Sequence, residues 1–112
     1  MTSGSGQVVV LVTASSEEES GKIADTLLEQ RKAACVSVVP GVVSRFWWQG
    51  KLDSARESLL IIKTRAALVP EIVELVKKVH SYTVPEVVAL PVVAGNRDHL
   101  DWLDRETTAG PS

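Results

Sequence analysis

Few side chains in this chain are suited to chemistry. Cys35 is the only thiol, and His80 and His99 are the only imidazoles. A thiolate is a soft ligand that suits Cu(I), and imidazole suits copper and zinc. Cys35 and His80 are therefore the candidate metal ligands, for copper or another divalent ion. Spacing alone builds no site from them, because the chain has no H-x-x-x-H, C-x-x-C or H-x-x-E-H pattern. A closed structural site usually takes four ligands. Two residues fit weak, transient binding better, or a site to which each chain of an assembly lends one or two ligands. Each also has a simpler reading. Cys35, between Ala34 and Val36, reads more simply as a small buried hydrophobe. His80 falls in the last turn of a predicted helix, where the helix dipole favours a partly positive ring, and its ring can orient Tyr82 through a hydrogen bond. His99 reads as solvated.

Other chemistry has less support. Lys51, Lys63 and Arg65 lie near predicted strand ends, where a cleft between subunits could hold a small anion, with Tyr82 and Glu86 lining the same cleft. Solvated charges are the simpler reading. Thr13, Ser15 and Ser16 are explained as turn and cap residues, and no nucleophile elbow is present. The segment TASSEEESG lacks the glycine spacing and lysine of a phosphate-binding loop. The expectation is a binding protein, not an enzyme. Twelve basic residues against fourteen acidic ones give a net charge of −2, which is not the basic footprint of a nucleic-acid binder. No apolar run approaches the roughly 20 residues of a membrane span. One cysteine allows no intramolecular disulfide and suits a reducing compartment. The uncharged Ser/Gly-rich N-terminus lacks the features of a signal peptide, so a cytoplasmic location is expected.

The elements that must position these residues follow from the pattern. Val8–Val12 is a short β-branched run, read as a strand buried on both faces. Ser16 with Glu19 forms a capping box for a helix running to about Lys32, with Ile23, Ala24, Leu27 and Leu28 as its apolar stripe. Cys35–Val39 is a second strand, interrupted at Pro40-Gly41 by a bulge or bend, and resumed over Val42–Trp48. Gln49-Gly50 is a hairpin tip, and Glu57–Thr64 is the returning strand. A second helix opens at Val69-Pro70, carries Ile72, Leu75, Val76 and Val79 inward, and ends near His80. Glu86–Val92 is the fourth strand. Gly95-Asn96 caps a short terminal helix holding Leu100, Trp102 and Leu103. The order β-α-β-β-α-β plus a C-terminal helix is the ferredoxin-like plan of the α+β class, with an extended hairpin. A single domain spans residues 8–107, with flexible tails at 1–7 and 108–112. Helices cover one face of such a sheet, yet the strands are apolar on both. The uncovered face asks for a partner, most simply further copies of the chain.

The hairpin raises the same demand. SRFWWQGKL puts Phe46, Trp47 and Trp48 in consecutive strand positions. Neighbouring strand residues point to opposite faces, so the two tryptophans cannot share one core. The ring that turns outward is expected to be covered by another subunit.

The segments AACVSVVPGVVSRFWWQGKL (33–52), LLIIKT (59–64), HSYTVPEVVALPV (80–92) and HLDWL (99–103) resemble the CutA divalent-cation tolerance proteins, in order and spacing, from about Val8 to Thr107. The resemblance implies a ferredoxin-like protomer, an interlocked homotrimer similar in architecture to the PII signalling proteins, and a role in tolerance of copper and other divalent metals. It implies no established catalytic activity. The subunit contact or cleft is expected at Phe46, Trp47, Trp48, Lys63, Tyr82, Glu86 and Trp102. The alternative is a PII-like small-molecule sensor or scaffold that uses inter-subunit clefts. Several positions depart from the family pattern. Thr83 stands where a glutamate is usual and removes one oxygen ligand. Phe46 replaces a tyrosine, Ser37 replaces a common asparagine, and Val12 occupies a region where some members carry cysteine. Asp53–Glu57 is less acidic than usual.

Overall fold

The computed structural model describes residues 6–107. β1 (Gln7–Ala14) leads to α1 (Glu17–Glu29), then to β2 (Cys35–Trp48) and β3 (Lys51–Arg65). A 3-10 turn at Ala66–Leu68 enters α2 (Val69–Val79), and β4 (Val87–Pro91) and α3 (Arg97–Glu106) complete the chain. The strands form one sheet in the order β2-β3-β1-β4, with every neighbouring pair antiparallel. This is the expected ferredoxin-like order. The tails expected at 1–7 and 108–112 lie outside the described residues except for Gly6 and Gln7. Gln7 is no tail residue, since it opens β1 opposite Arg65.

Local signals explain most boundaries. Ser16 caps α1 by accepting the Glu19 N–H at 3.1 Å. The helix stops at Glu29, three residues before the expected end. Lys32 N–H bonds the Leu27 carbonyl at 2.8 Å and Arg31 N–H the Leu28 carbonyl at 3.1 Å, the paired bonds of a Schellman closure. Arg31 takes the left-handed position, φ 60°, that glycine usually fills. Without a glycine to mark it, the stop is invisible in the sequence. At the hairpin tip Gln49 (φ 51°) and Gly50 (φ 80°) are both left-handed, the two-residue turn that matches strand twist. The returning strand is longer than expected, beginning at Lys51 instead of Glu57. The register of β2 against β3 shifts between Val39 and Val42, at Pro40-Gly41, where Gly41 has φ 74°. This is the expected bulge.

β1 reaches only Ser58–Arg65 of β3. Beyond Glu57 the hairpin continues as a two-stranded ribbon, which stretches the protein to 43 Å along one axis. The core lies between the sheet and α1 and α2. Val8, Val10, Val12, Leu60 and Ile62 point into it from the strands, Ile23 and Leu27 from α1, and Ile72 and Val76 from α2. The opposite face carries Val9 and Leu11 of β1, Leu59 and Ile61 of β3, and Val88 and Leu90 of β4, paired in register across the sheet. The expectation that these strands are buried on both faces holds only for the helix side. Val88 and Leu90 are each 47% exposed, and Val39 on β2 is 41% exposed. α3 covers one end of this second face. Gln7 and Arg65, both of that face's parity, bond Asp104 and Thr107, and Leu103 is buried there apart from the main core.

Truncating a fully buried core side chain forfeits its transfer free energy and leaves a cavity. Ile62→Ala is expected to lower stability by about 2–5 kcal/mol, measured by urea denaturation with the slope unchanged.

Candidate functional site

The segment between α2 and β4 has no regular backbone partners, so side chains fix it. His80 ends α2 with its side chain fully buried. Its Nδ1 accepts the Tyr82 N–H at 3.0 Å. That leaves the proton on Nε2, which donates to the Thr13 carbonyl at the end of β1 at 2.6 Å. The imidazole therefore ties the segment to the sheet and orients Tyr82, with both nitrogens engaged. Glu19 ties the same segment to α1. Its Oε1 accepts from Ser15 N–H at 2.9 Å and from the Ser15 hydroxyl at 3.1 Å. Its Oε2 accepts from Ser81 N–H at 2.6 Å. The expected capping box is thus shifted, since Glu19 reaches Ser15 and Ser81 instead of the backbone of Ser16. Burial works to raise the Glu19 pKa, but the Ser15 and Ser81 donors outweigh it and hold the carboxyl below its usual value. Sequence reasoning saw only a cap in Glu19. Its bond to Ser81, 62 residues away, leaves no local signal.

Tyr82 carries the network to the ribbon. Its hydroxyl donates to Glu57 Oε2 at 2.7 Å, and its ring tilts against His80 with centroids 4.7 Å apart. Glu57 is only 6% exposed. About a third of Tyr82 is exposed, but its hydroxyl lies at this buried carboxylate. Burial and then the Glu57 hydrogen bond and charge push the phenol pKa up to about 12.

An open cleft of about 780 Å³ lies where the ribbon leaves the sheet. Phe46, Trp48 and Tyr82 give it aromatic walls, and Asp53, Glu57 and Glu86 bring carboxyl groups. Arg45 is its one basic lining residue, and Thr83 borders it. The structure thus brings together four residues expected at a cleft or contact: Phe46, Trp48, Tyr82 and Glu86. Trp47 is elsewhere. It pairs with Leu52 on the other face of the ribbon, and the two are 71% and 67% exposed. Lys63 pairs with Cys35 and Val9 toward the far end of the sheet, and Arg65 binds Thr107. Lys51, Lys63 and Arg65, read most simply as solvated charges, do not line this cleft within one chain. Trp102 is half-buried on α3, and His99, expected to be merely solvated, stacks on it at 5.6 Å.

Cys35 and His80 are not brought together within one chain. Cys35 is half-buried on the second sheet face, level with Val9, whereas His80 is held at Thr13. Four residues of strand separate those levels by roughly 13 Å. Among the described residues no three His, Cys, Asp or Glu side chains converge to hold a metal ion.

Tyr82 is the only tyrosine, so its titration is directly readable. Because the folded pKa is raised, the neutral phenol contributes stability that is complete below about pH 10. That contribution is lost as pH rises through about 12. Tyrosinate absorbance is expected near 12 in the native protein and near about 10 in urea; coincident titrations would contradict the Glu57 contact. Glu19, with its lowered value, contributes stability that is lost as pH falls through the carboxylate range. Glu19→Gln is expected to lower stability at neutral pH and flatten that acid loss in denaturation curves.

The family described as CutA1 divalent ion tolerance protein matches residues 8–106. The divalent-cation tolerance protein CutA of Thermus thermophilus is 52% identical over 89% of this chain and 96% of its own length. The chloroplastic CutA 1 protein of rice is 45% identical over 89% of this chain, which spans 56% of that longer protein. The solved structure of the Thermus thermophilus divalent cation tolerance protein superposes with a TM-score of 0.89, at 50% identity, over 90% of this chain and 98% of its own. With the family match spanning nearly all the described residues and identity of about half to a relative of the same length, this chain belongs to the CutA1 divalent ion tolerance family.

Proposed function

We propose that this protein acts as a homotrimer of PII-like architecture in tolerance of divalent metal ions, copper among them. The observation that carries the assembly is the apolar second face of the sheet, with Leu11, Ile61, Val88 and Leu90 in one continuous patch. An uncovered apolar sheet face of this kind marks an interface, and the ribbon with Trp47 at its tip gives each chain an arm to reach a neighbour. The names of its relatives support the metal-tolerance role. Metal engagement in this reading is weak and open, in keeping with the lack of a three-ligand cluster among the described residues. Cys35 is the soft ligand it offers, and assembly could place several copies near one another. His80 serves as a structural tie, because a metal at either nitrogen would displace a hydrogen bond. The role is one of binding rather than catalysis. A cytoplasmic setting belongs to the same reading, supported by the lone free thiol. No helix among the described residues is long and apolar enough to cross a membrane.

A second reading, a small-molecule sensor or scaffold, is favoured by the cleft at the base of the ribbon.

Sedimentation over a micromolar concentration series tests the assembly. A trimer is expected, and Trp47→Ala or Trp48→Ala should loosen it; a monomer throughout would overturn the reading. Calorimetric titration with copper is expected to weaken in Cys35→Ser and to stay unchanged in His80→Gln. Unchanged binding in Cys35→Ser would remove the thiol from the site.

A further inference from the structure

We propose that the cleft between the ribbon and the Tyr82 segment is a binding site for a primary ammonium group carried on an apolar, preferably aromatic, body. The inference rests on the small-molecule reading above and names its ligand class.

Three observations carry it. The first is Glu57. It is a charged residue 94% removed from solvent, since only 6% of it is exposed. Oε2 is engaged by the Tyr82 hydroxyl, and Oε1 makes no hydrogen bond to any described residue. No buried side-chain oxygen or nitrogen among the described residues lacks a partner, so Oε1 is not sealed in. It is the acceptor that remains open on a lining residue of the cleft. An acceptor open to the cleft on an otherwise buried carboxylate offers a charged donor a strong, directional partner.

The second observation is charge. Asp53, Glu57 and Glu86 line the cleft against the single guanidinium of Arg45, and no ion pair joins Arg45 to any of them among the described residues. Three carboxyl-bearing side chains against one guanidinium leave the acidic residues in excess, so the local potential favours a cation.

The third is the walls themselves. Phe46 and Trp48 share one face of the ribbon, two residues apart, and Tyr82 faces the same space. Aromatic faces attract cations, tryptophan most strongly. A bare divalent ion would want several oxygens in one shell, and no three candidate ligands converge here. An organic cation instead uses rings and scattered carboxylates together. A free Oε1 asks for an N–H donor, which selects a primary ammonium over a fully methylated one. The volume, about 780 Å³, is in the range of small-molecule sites, roughly 300–1,000 Å³.

The test uses the full chain in its native oligomeric state, with phenethylammonium as the probe. Calorimetry should show saturable binding of one probe per chain, with a change in tryptophan fluorescence. Glu57→Gln should weaken it about tenfold or more, through loss of the charge in a charge-assisted hydrogen bond. The neutral alcohol and the phenylacetate anion should not bind, and the trimethylated amine should bind more weakly. Should Glu57→Gln fail to fold, the exposed-residue variants Asp53→Asn and Glu86→Gln provide the same reading, each with weaker binding. Absence of saturable binding, equal binding of the alcohol, or indifference to every carboxylate variant would overturn the site. Sedimentation of the same samples keeps the readings apart. A trimer that ignores the probe overturns the ammonium site alone, whereas a monomer that binds it overturns the proposed assembly alone.

Discussion

One sheet with two apolar faces and helices enough for only one of them is the constraint from which the rest of this protein follows. α1 and α2 drive Ile23, Leu27, Ile72 and Val76 onto Val10, Val12, Leu60 and Ile62. That is where the helical apolar stripes are spent. The other face receives only α3, and only at the Gln7–Arg65 end. The strands could not make that face polar without ceasing to be what they are: VVVLV and LLII are apolar at every position, the pattern of strands covered on both sides. The second face is therefore left largely uncovered in the single chain, and the ribbon continues β2 and β3 past the end of β1.

A second layer of organisation is polar. It begins on α1, where Glu19 gathers Ser15 and Ser81. It passes through His80, which joins Thr13 to Tyr82, and ends on the ribbon at Glu57. Each link holds a backbone or a ring that secondary structure leaves free. The result is that an irregular segment, residues 80–86, is pinned through His80, Ser81 and Tyr82 while residues 81–86 border a cleft. Preorganisation of this kind lowers the ordering cost of anything that binds there.

Much of the fold was legible because its signals are local. Alternation, the Ser16 cap, Pro70 in the first turn of α2, and Gln49-Gly50 each act within a few residues. The end of α1 was not, because Arg31 takes a left-handed conformation with no glycine to announce it. The site was legible in part. Phe46, Trp48, Tyr82 and Glu86 do converge, and the suggested bond between His80 and Tyr82 is present. Lys63 was grouped with them only because it lies near a strand end, and register places it level with Val9 instead. Glu57 and Glu19 were missed for the same reason. Their roles depend on partners 25 and 62 residues away, and nothing in the neighbouring residues encodes such a distance.

The double tryptophan shows how a single backbone irregularity decides what a surface does. Between Val39 and Val42 β2 spends three steps while β3, from Leu59 to Glu57, spends two. The extra residue at Pro40-Gly41 reverses the parity of every position beyond it. In an unbroken ladder Trp47 would fall on the face shared with Leu59 and Glu57, while Phe46 and Trp48 would point away. With the bulge the assignment is inverted. Two rings, Phe46 and Trp48, enter the cleft beside Glu57 and Tyr82, and Trp47 with Leu52 is left on the outer face of the ribbon. A left-handed Gly41, some distance along the strand, therefore determines both the aromatic content of the cleft and which apolar side chains the outer face of the ribbon exposes. The two surfaces share that one backbone cause, so a change in the bulge alters both together.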